Sequence, residues 1–201
     1  MTDYKIDRIF PYPFFQTNIG RAITKEEINV VESMYPSRVK NSGNTTSKDS
    51  YILNHSFPDI KDFIMKNLDI FKREVIVPRF ELDLYITQSW INWTEYTQYH
   101  HEHNHSNSYL SGVFYFDADD DKINLRSPKP KFVSVPYTQK NEFNAIMHTC
   151  HVNTGDLIIF PSELYHHVDL VKSEKRRTSM AFNVFVKGSL GMTSRLSKLV
   201  L

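Results

Sequence analysis

From Leu82 onward the chain alternates in steps of two. Leu82, Leu84, Ile86, Gln88, Trp90 and Asn92 interleave with Asp83, Tyr85, Thr87, Ser89, Ile91 and Trp93, the period that puts successive side chains on opposite faces of a strand. The same reading predicts strands over 109–117, 123–126, 131–137, 145–152, 157–160, 167–171 and 177–187, divided by turn-forming clusters at 117–121, 153–156 and 172–175. Helical spacing occurs only earlier. Ile60, Phe63, Ile64, Phe71 and Val75 predict a helix over 58–75 with Pro58 in its first turn, and Thr24 with Glu27 forms a capping box opening a helix over 25–34. Residues 8–18, with Pro11 and Pro13, read as an edge strand or an arm laid on the core, and the polar stretch 37–50 as a surface loop. Two helices followed by many short strands predict a mainly β fold, a jelly roll with flanking α-helices. No linker divides it, so 1–201 is expected to be a single domain, with N-terminal and helical support over 1–80 and a β core over 81–188.

Composition narrows the classes. Hydrophobic residues make up 40% of the 201 and aromatic ones 13%, enough to fill a core. Twenty-four Lys and Arg against 23 Asp and Glu leave a net charge of +1, with no basic stripe to neutralise phosphates, which argues against nucleic acid as the partner. Six glycines and no glycine-rich phosphate motif disfavour nucleotide-binding folds. A single cysteine, Cys150, rules out an internal disulfide. With no signal pattern and no long apolar run, a cytoplasmic protein without membrane contact is expected.

The remaining oddity is histidine. Four of nine lie in His100-His101-Glu102-His103-Asn104-His105. In an extended segment His101, His103 and His105 share one face while His100, Glu102 and Asn104 point away, so neighbouring imidazoles of the first set suit one metal ion. A solvated histidine-rich loop is the plain alternative. A further imidazole, His166 or His167, follows the apolar run 157–160, where a jelly roll returns the chain to the same mouth. Three protein ligands with open positions suit a redox metal that also binds substrate and oxygen, whereas a structural zinc site closes with a fourth ligand. Arg177 and Ser179 follow on one strand face, a fork and a hydroxyl for a carboxylate.

The runs Trp90-Ile91-Asn92, His103 to Tyr115, Phe160-Pro161-Ser162 to His166, and Arg177 to Asn183 resemble the small 2-oxoglutarate/Fe(II)-dependent oxygenases of bacteria and phages, and Ile9-Phe10-Pro11 is similar to their N-terminal segment. The resemblance implies a double-stranded β-helix, with Fe(II), 2-oxoglutarate as co-substrate and O2. It implies oxidative decarboxylation to succinate and CO2 coupled to hydroxylation of a C–H bond. His166 maps onto the distal metal ligand and Arg177, assisted by Ser179, onto the anchor of the far carboxylate; Asn92 and Tyr115 are pocket candidates. The usual His-x-Asp/Glu pair is here His103-Asn104-His105, while His100 with Glu102 is the alternative that would restore a carboxylate. If the chain is phage-encoded, the compartment is the host cytosol.

Segments 37–50 and 127–143 are candidate lids. Trp90, Trp93, Tyr96, Tyr99 and Tyr109 suggest an aromatic pocket for an amino-acid or peptidyl side chain, proline first, with a methylated nucleobase as the competing substrate. Two rival classes are a cupin-like three-histidine dioxygenase that needs no 2-oxoglutarate and a non-catalytic jelly-roll binding protein.

Overall fold

A computed structural model describes residues 5–129 and 135–201. The strands run β1 Phe15–Asn18, β2 Val39–Lys40, β3 Thr45–Thr46, β4 Leu82–Thr94, β5 His100–His103, β6 Leu110–Asp117, β7 Asp121–Arg126, β8 Met147–Val152, β9 Asp156–Pro161, β10 His166–Val168, β11 Arg177–Leu190 and β12 Leu199–Val200. Two helices, α1 Lys25–Met34 and α2 Pro58–Phe71, precede β4. The larger sheet has the order β1-β9-β6-β11-β4-β3-β2, with β12 added to β11, and the smaller one β5-β10-β7-β8. Every strand pairing within these sheets is antiparallel. This is the double-stranded β-helix with a helical layer that the sequence predicts.

Alternation along the strands divides the interior in two. Phe114 and Phe116 of β6, Leu157 and Ile159 of β9, and Met180, Phe182 and Val184 of β11 pack under the helices with Ile60, Ile64, Leu68 and Phe71 of α2. Their neighbours Val113, Tyr115, Ile158 and Phe160 face the smaller sheet and meet Ile123, Leu125, Cys150 and Val152. The helix-facing side leaves room for a ring only because Gly112 has no side chain. A Cβ there would lie 2.1 Å from Cζ of Phe182, its partner across the sheet.

The even positions of β4 do not share one face. Pairing with β11 jumps from Asn183↔Gln88 to Val184↔Ile86, so Thr87 is an extra residue and the phase inverts there. Leu82 and Leu84 therefore join Ile91 and Trp93 beneath the helices, while Trp90 and Asn92 turn inward.

Other expectations shift for equally local reasons. α1 begins as its capping box predicts, with Thr24 Oγ1 accepting from Glu27 N–H at 3.1 Å and the Glu27 carboxylate accepting from Thr24 N–H at 2.8 Å. α2 stops at Phe71 and loosens into a π turn over Lys72–Ile76, leaving Val75 exposed. The stretch 37–50 is a hairpin, not a loop: β2 and β3 turn through Ser42-Gly43, and β3 pairs with β4 at Thr46↔Asn92. Gly43 has φ +90 and sits against Tyr99, a conformation and a contact that require glycine. Of the strand expected over 131–137, residues 131–134 lie outside the described residues and 135–137 form no strand; the candidate lid 127–143 likewise spans 130–134, and its described part carries no regular element.

Candidate metal centre and cofactor pocket

The pairing of β5 with β10 sets His103 opposite His166, with ring centroids 4.4 Å apart. His105 lies just beyond β5, its backbone N–H donating to the carbonyl of Ser162 in the β9–β10 turn at 3.1 Å. One ligand atom from each of His103, His105 and His166 lies within 4.8 Å of the others.

Hydrogen bonding fixes how these rings present themselves. Nδ1 of His103 donates to the carbonyl of His101 at 2.8 Å, and Nδ1 of His166 to that of Leu164 at 3.0 Å. Nδ1 of His105 donates to Oδ1 of Asn183, whose amide is oriented by its Nδ2 donating to Gln88 Oε1 at 3.4 Å. A carbonyl oxygen only accepts, so each Nδ1 carries the proton and each Nε2 keeps its lone pair. Nε2 of His105 is buried without any hydrogen-bond partner. Three neutral imidazoles held by outer hydrogen bonds, one with an orphaned buried nitrogen, fit a divalent transition metal.

Burial keeps the imidazoles neutral. Desolvation, followed by repulsion from neighbouring rings, lowers His166 to about 3; desolvation lowers His103 to about 4, against the raising effect of its bond to the His101 carbonyl. His105 is lowered by burial as well, partly offset by its bond to Asn183.

Behind the triad Arg177 is 4% exposed on the inward face of β11. Its Nη2 donates to the Tyr115 hydroxyl at 3.3 Å, and its Nε lies 2.7 Å from Oδ2 of Asp121 without the alignment of a hydrogen bond. Asn92, with an unpartnered buried Oδ1, and Ser179 line the same small cavity of about 30 Å³ together with Arg177 and the triad. Tyr115 is fully buried, and desolvation raises its hydroxyl pKa, so it stays protonated.

The alternative pair is not brought together. Glu102 turns to the other side, where Arg126 Nε donates to both carboxylate oxygens at 2.9 and 2.8 Å. His100, expected to point away, lies inside: pairing His166↔His103 and Val168↔His100 leaves a bulge that reverses the alternation. His100 stacks on His103 at 4.7 Å, is buried enough to be lowered to about 2, and has Nε2 3.2 Å from Asn41 Nδ2. His101 stacks on His103 from the outer side at 4.7 Å. His167 faces Glu102 and Asp169 rather than joining the triad.

Residues 88–183 match the family model described as "Putative 2OG-Fe(II) oxygenase". The span runs from the bulge of β4 to Asn183 and so contains the triad, Arg177 and both walls of the cavity. The matched span covers the β-helix core from β4 to β11. Members of that family are oxidoreductases that use Fe(II), 2-oxoglutarate and O2, and the match favours that class over the two rival ones.

Solved structures share the fold. They include a 2OG-Fe(II) oxygenase family oxidoreductase from Burkholderia pseudomallei (12% identity, TM-score 0.55, 85% of this chain and 83% of that one). A prolyl-4-hydroxylase from Pseudomonas putida aligns at 11% identity and TM-score 0.54, over 86% of this chain and 92% of that one. A prolyl hydroxylase in complex with a hypoxia inducible factor peptide fragment from Trichoplax adhaerens aligns at 12% and 0.56, over 86% and 83%. No curated protein matches the chain. Among the described residues no helix is long and apolar enough to cross a membrane.

Asp121 and Asn183 escape the sequence reading as site residues, and His100 enters it only as the alternative ligand with Glu102, not as a ring packed on His103. Asn183 was within reach, since Arg177, Ser179, Ala181 and Asn183 form one face of β11 by simple alternation. Asp121 looks like part of an acidic turn until β7 is placed in the smaller sheet. Of the five rings expected around the metal, only Trp90 does so, stacked on His105 at 5.6 Å; Trp93 is wholly buried under the helices.

Proposed function

We propose that His103, His105 and His166 hold the Fe(II) of this oxygenase and that Arg177 receives the far carboxylate of 2-oxoglutarate, with Ser179, Asn92 and Tyr115 completing the pocket. The whole chain 1–201 then acts as one catalytic domain, in which 1–80 supports the core 81–188. The observation that carries this reading is the set of three neutral imidazoles, each with Nδ1 engaged and Nε2 free.

When bound, Fe(II) and 2-oxoglutarate supply oxygen activation for the overall reaction R–H + O2 + 2-oxoglutarate → R–OH + succinate + CO2. The chain's own groups do the rest. Asn183, with the carbonyls of His101 and Leu164, holds the imidazoles in the ligating tautomer. The Arg177 fork offers two parallel donors to a carboxylate in a buried setting, where a charged pair is far stronger than in water. Asp121 balances the charge of the guanidinium, and the Tyr115 hydroxyl, which stays protonated, adds a donor beside it. Val113, Phe160 and Ile123 make the surrounding wall apolar and exclude bulk water. The substrate is a small molecule or a peptide.

The test is anaerobic Fe(II) titration of alanine variants. Stoichiometric binding should be lost with His103→Ala, His105→Ala or His166→Ala and kept with Glu102→Ala. Loss with Glu102→Ala and retention with His103→Ala would transfer the site to the His100/Glu102 pair.

A further inference from the structure

A second opening reaches the triad from outside. It is a cleft of about 440 Å³ walled by the β2–β3 hairpin and the residues following it, by Gln88, Trp90 and Asn183, and by His100, His101 and residues His103 to Ser106. Among the described residues no Asp, Glu, Lys or Arg lines it, and no aliphatic side chain does. Its walls are amides, hydroxyls, imidazoles and a single indole.

Several of these groups have hydrogen-bonding capacity that the fold leaves unused. The side chains of Ser50, Asn104 and Ser106 make no hydrogen bond within the described protein, and Gln88 engages only its Oε1. Asn104 and Ser106, adjacent in sequence to the ligands His103 and His105, line the outer part of the same cleft. The apolar alternative lies elsewhere: the groove of Phe10, Pro11, Tyr12, Phe71, Val75 and Tyr109 contains no imidazole.

We infer that the substrate of this oxygenase is an uncharged polyhydroxylated molecule, a neutral glycoside, bound with one ring against Trp90 and its hydroxyls on Ser50, Gln88, Asn104 and Ser106. The inference rests on His103, His105 and His166 being the metal ligands. An ionised substrate would find no countercharge among the described residues of this cleft, and a prolyl or aliphatic side chain would meet mostly polar groups. A sugar ring offers the reverse: hydroxyls that each donate and accept, around a C–H face that packs on an indole.

The experiment is retention of the full-length protein, loaded anaerobically with Fe(II) and 2-oxoglutarate, on a printed array of neutral, acidic and amino glycans, peptides and single-stranded oligonucleotides. The metal–2-oxoglutarate absorption band is recorded on the same sample. Retention on neutral glycans is expected, reduced at least tenfold in Asn104→Ala/Ser106→Ala and, independently on the opposite wall, in Ser50→Ala. A normal band with retention on peptides or oligonucleotides instead, or with no glycan retained, overturns the glycoside inference and leaves the metal site standing. Absence of the band overturns the metal-site reading, and the inference with it.

Discussion

Replacing Asn183 by Leu removes the acceptor that holds the His105 ring and changes side-chain volume little. Two losses follow. The His105 Nδ1–H, part of a ring buried against Trp90, is left without a partner, which costs about 1–3 kcal/mol of folding stability. The ring is also freed to rotate or change tautomer, so Nε2 is no longer fixed toward the other two imidazoles. Removing a partner of this kind lowers metal affinity by about 10- to 100-fold, or about 1.4–2.7 kcal/mol. Asn183→Asp keeps the acceptor and strengthens it, so its affinity should equal or exceed that of the wild type. The assay is anaerobic Fe(II) binding in competition with a chromophoric chelator, with thermal melts confirming that each variant is folded. A folded Asn183→Leu protein that binds Fe(II) within about threefold of wild type would refute the argument that this bond sets the ligand.

Arg177→Ala should weaken 2-oxoglutarate binding by about 2–5 kcal/mol, roughly 30-fold to several thousandfold by calorimetry, with Fe(II) affinity nearly unchanged; a loss under about threefold removes Arg177 from the anchor role. Fe(II) affinity should stay nearly flat from pH 8 to pH 5, because burial puts His103 at about 4 and His166 at about 3 and protons compete for Nε2 only below that range; a steep fall between pH 7 and 6 would contradict it. The unfolded chain protonates the same imidazoles near pH 6.5, so their contribution to stability is complete above that pH and declines as pH falls toward 4 and then 3, by at most about 1.4 kcal/mol per pH unit for each ring; denaturant titrations at pH 7.5 and 5.5 check the sign. Gly112→Ala places a methyl 2.1 Å from the Phe182 ring and should cost about 1–3 kcal/mol, a melting temperature lower by about 2–10 °C, and an unchanged melt would mean that the two sheet partners move apart freely.

What was legible in the sequence was whatever a single period or cap carries. The capping box located α1 to the residue, and plain alternation gave β6, β9 and β11 and with them the facing of Arg177 and Ser179. What alternation cannot carry is a change of phase. The extra residue at Thr87 moved Leu82 and Leu84 to the opposite face from Trp90, and the bulge in β5 turned His100 inward. A bulge leaves no signature in an unaligned sequence, because its cause is the pairing partner. The hairpin 39–46 was missed for a different reason. Strands of two residues are too short to show a period, and they exist here because β4 offers them an edge. Asp121 belongs to a third kind, a residue whose role comes wholly from topology: only the pairing of β7 in the smaller sheet sets it opposite Arg177.

The central claim is that three imidazoles and Arg177 form one Fe(II)–2-oxoglutarate site. The most direct measurement is anaerobic titration of the purified protein with Fe(II) and 2-oxoglutarate, separately and together, followed in the visible region. The account predicts a weak charge-transfer band only when both are present, absent in His103→Ala, His105→Ala and His166→Ala, and demanding far more 2-oxoglutarate in Arg177→Ala. A band that survives loss of any one of the three histidines, or that forms in Arg177→Ala at wild-type 2-oxoglutarate concentrations, would contradict it.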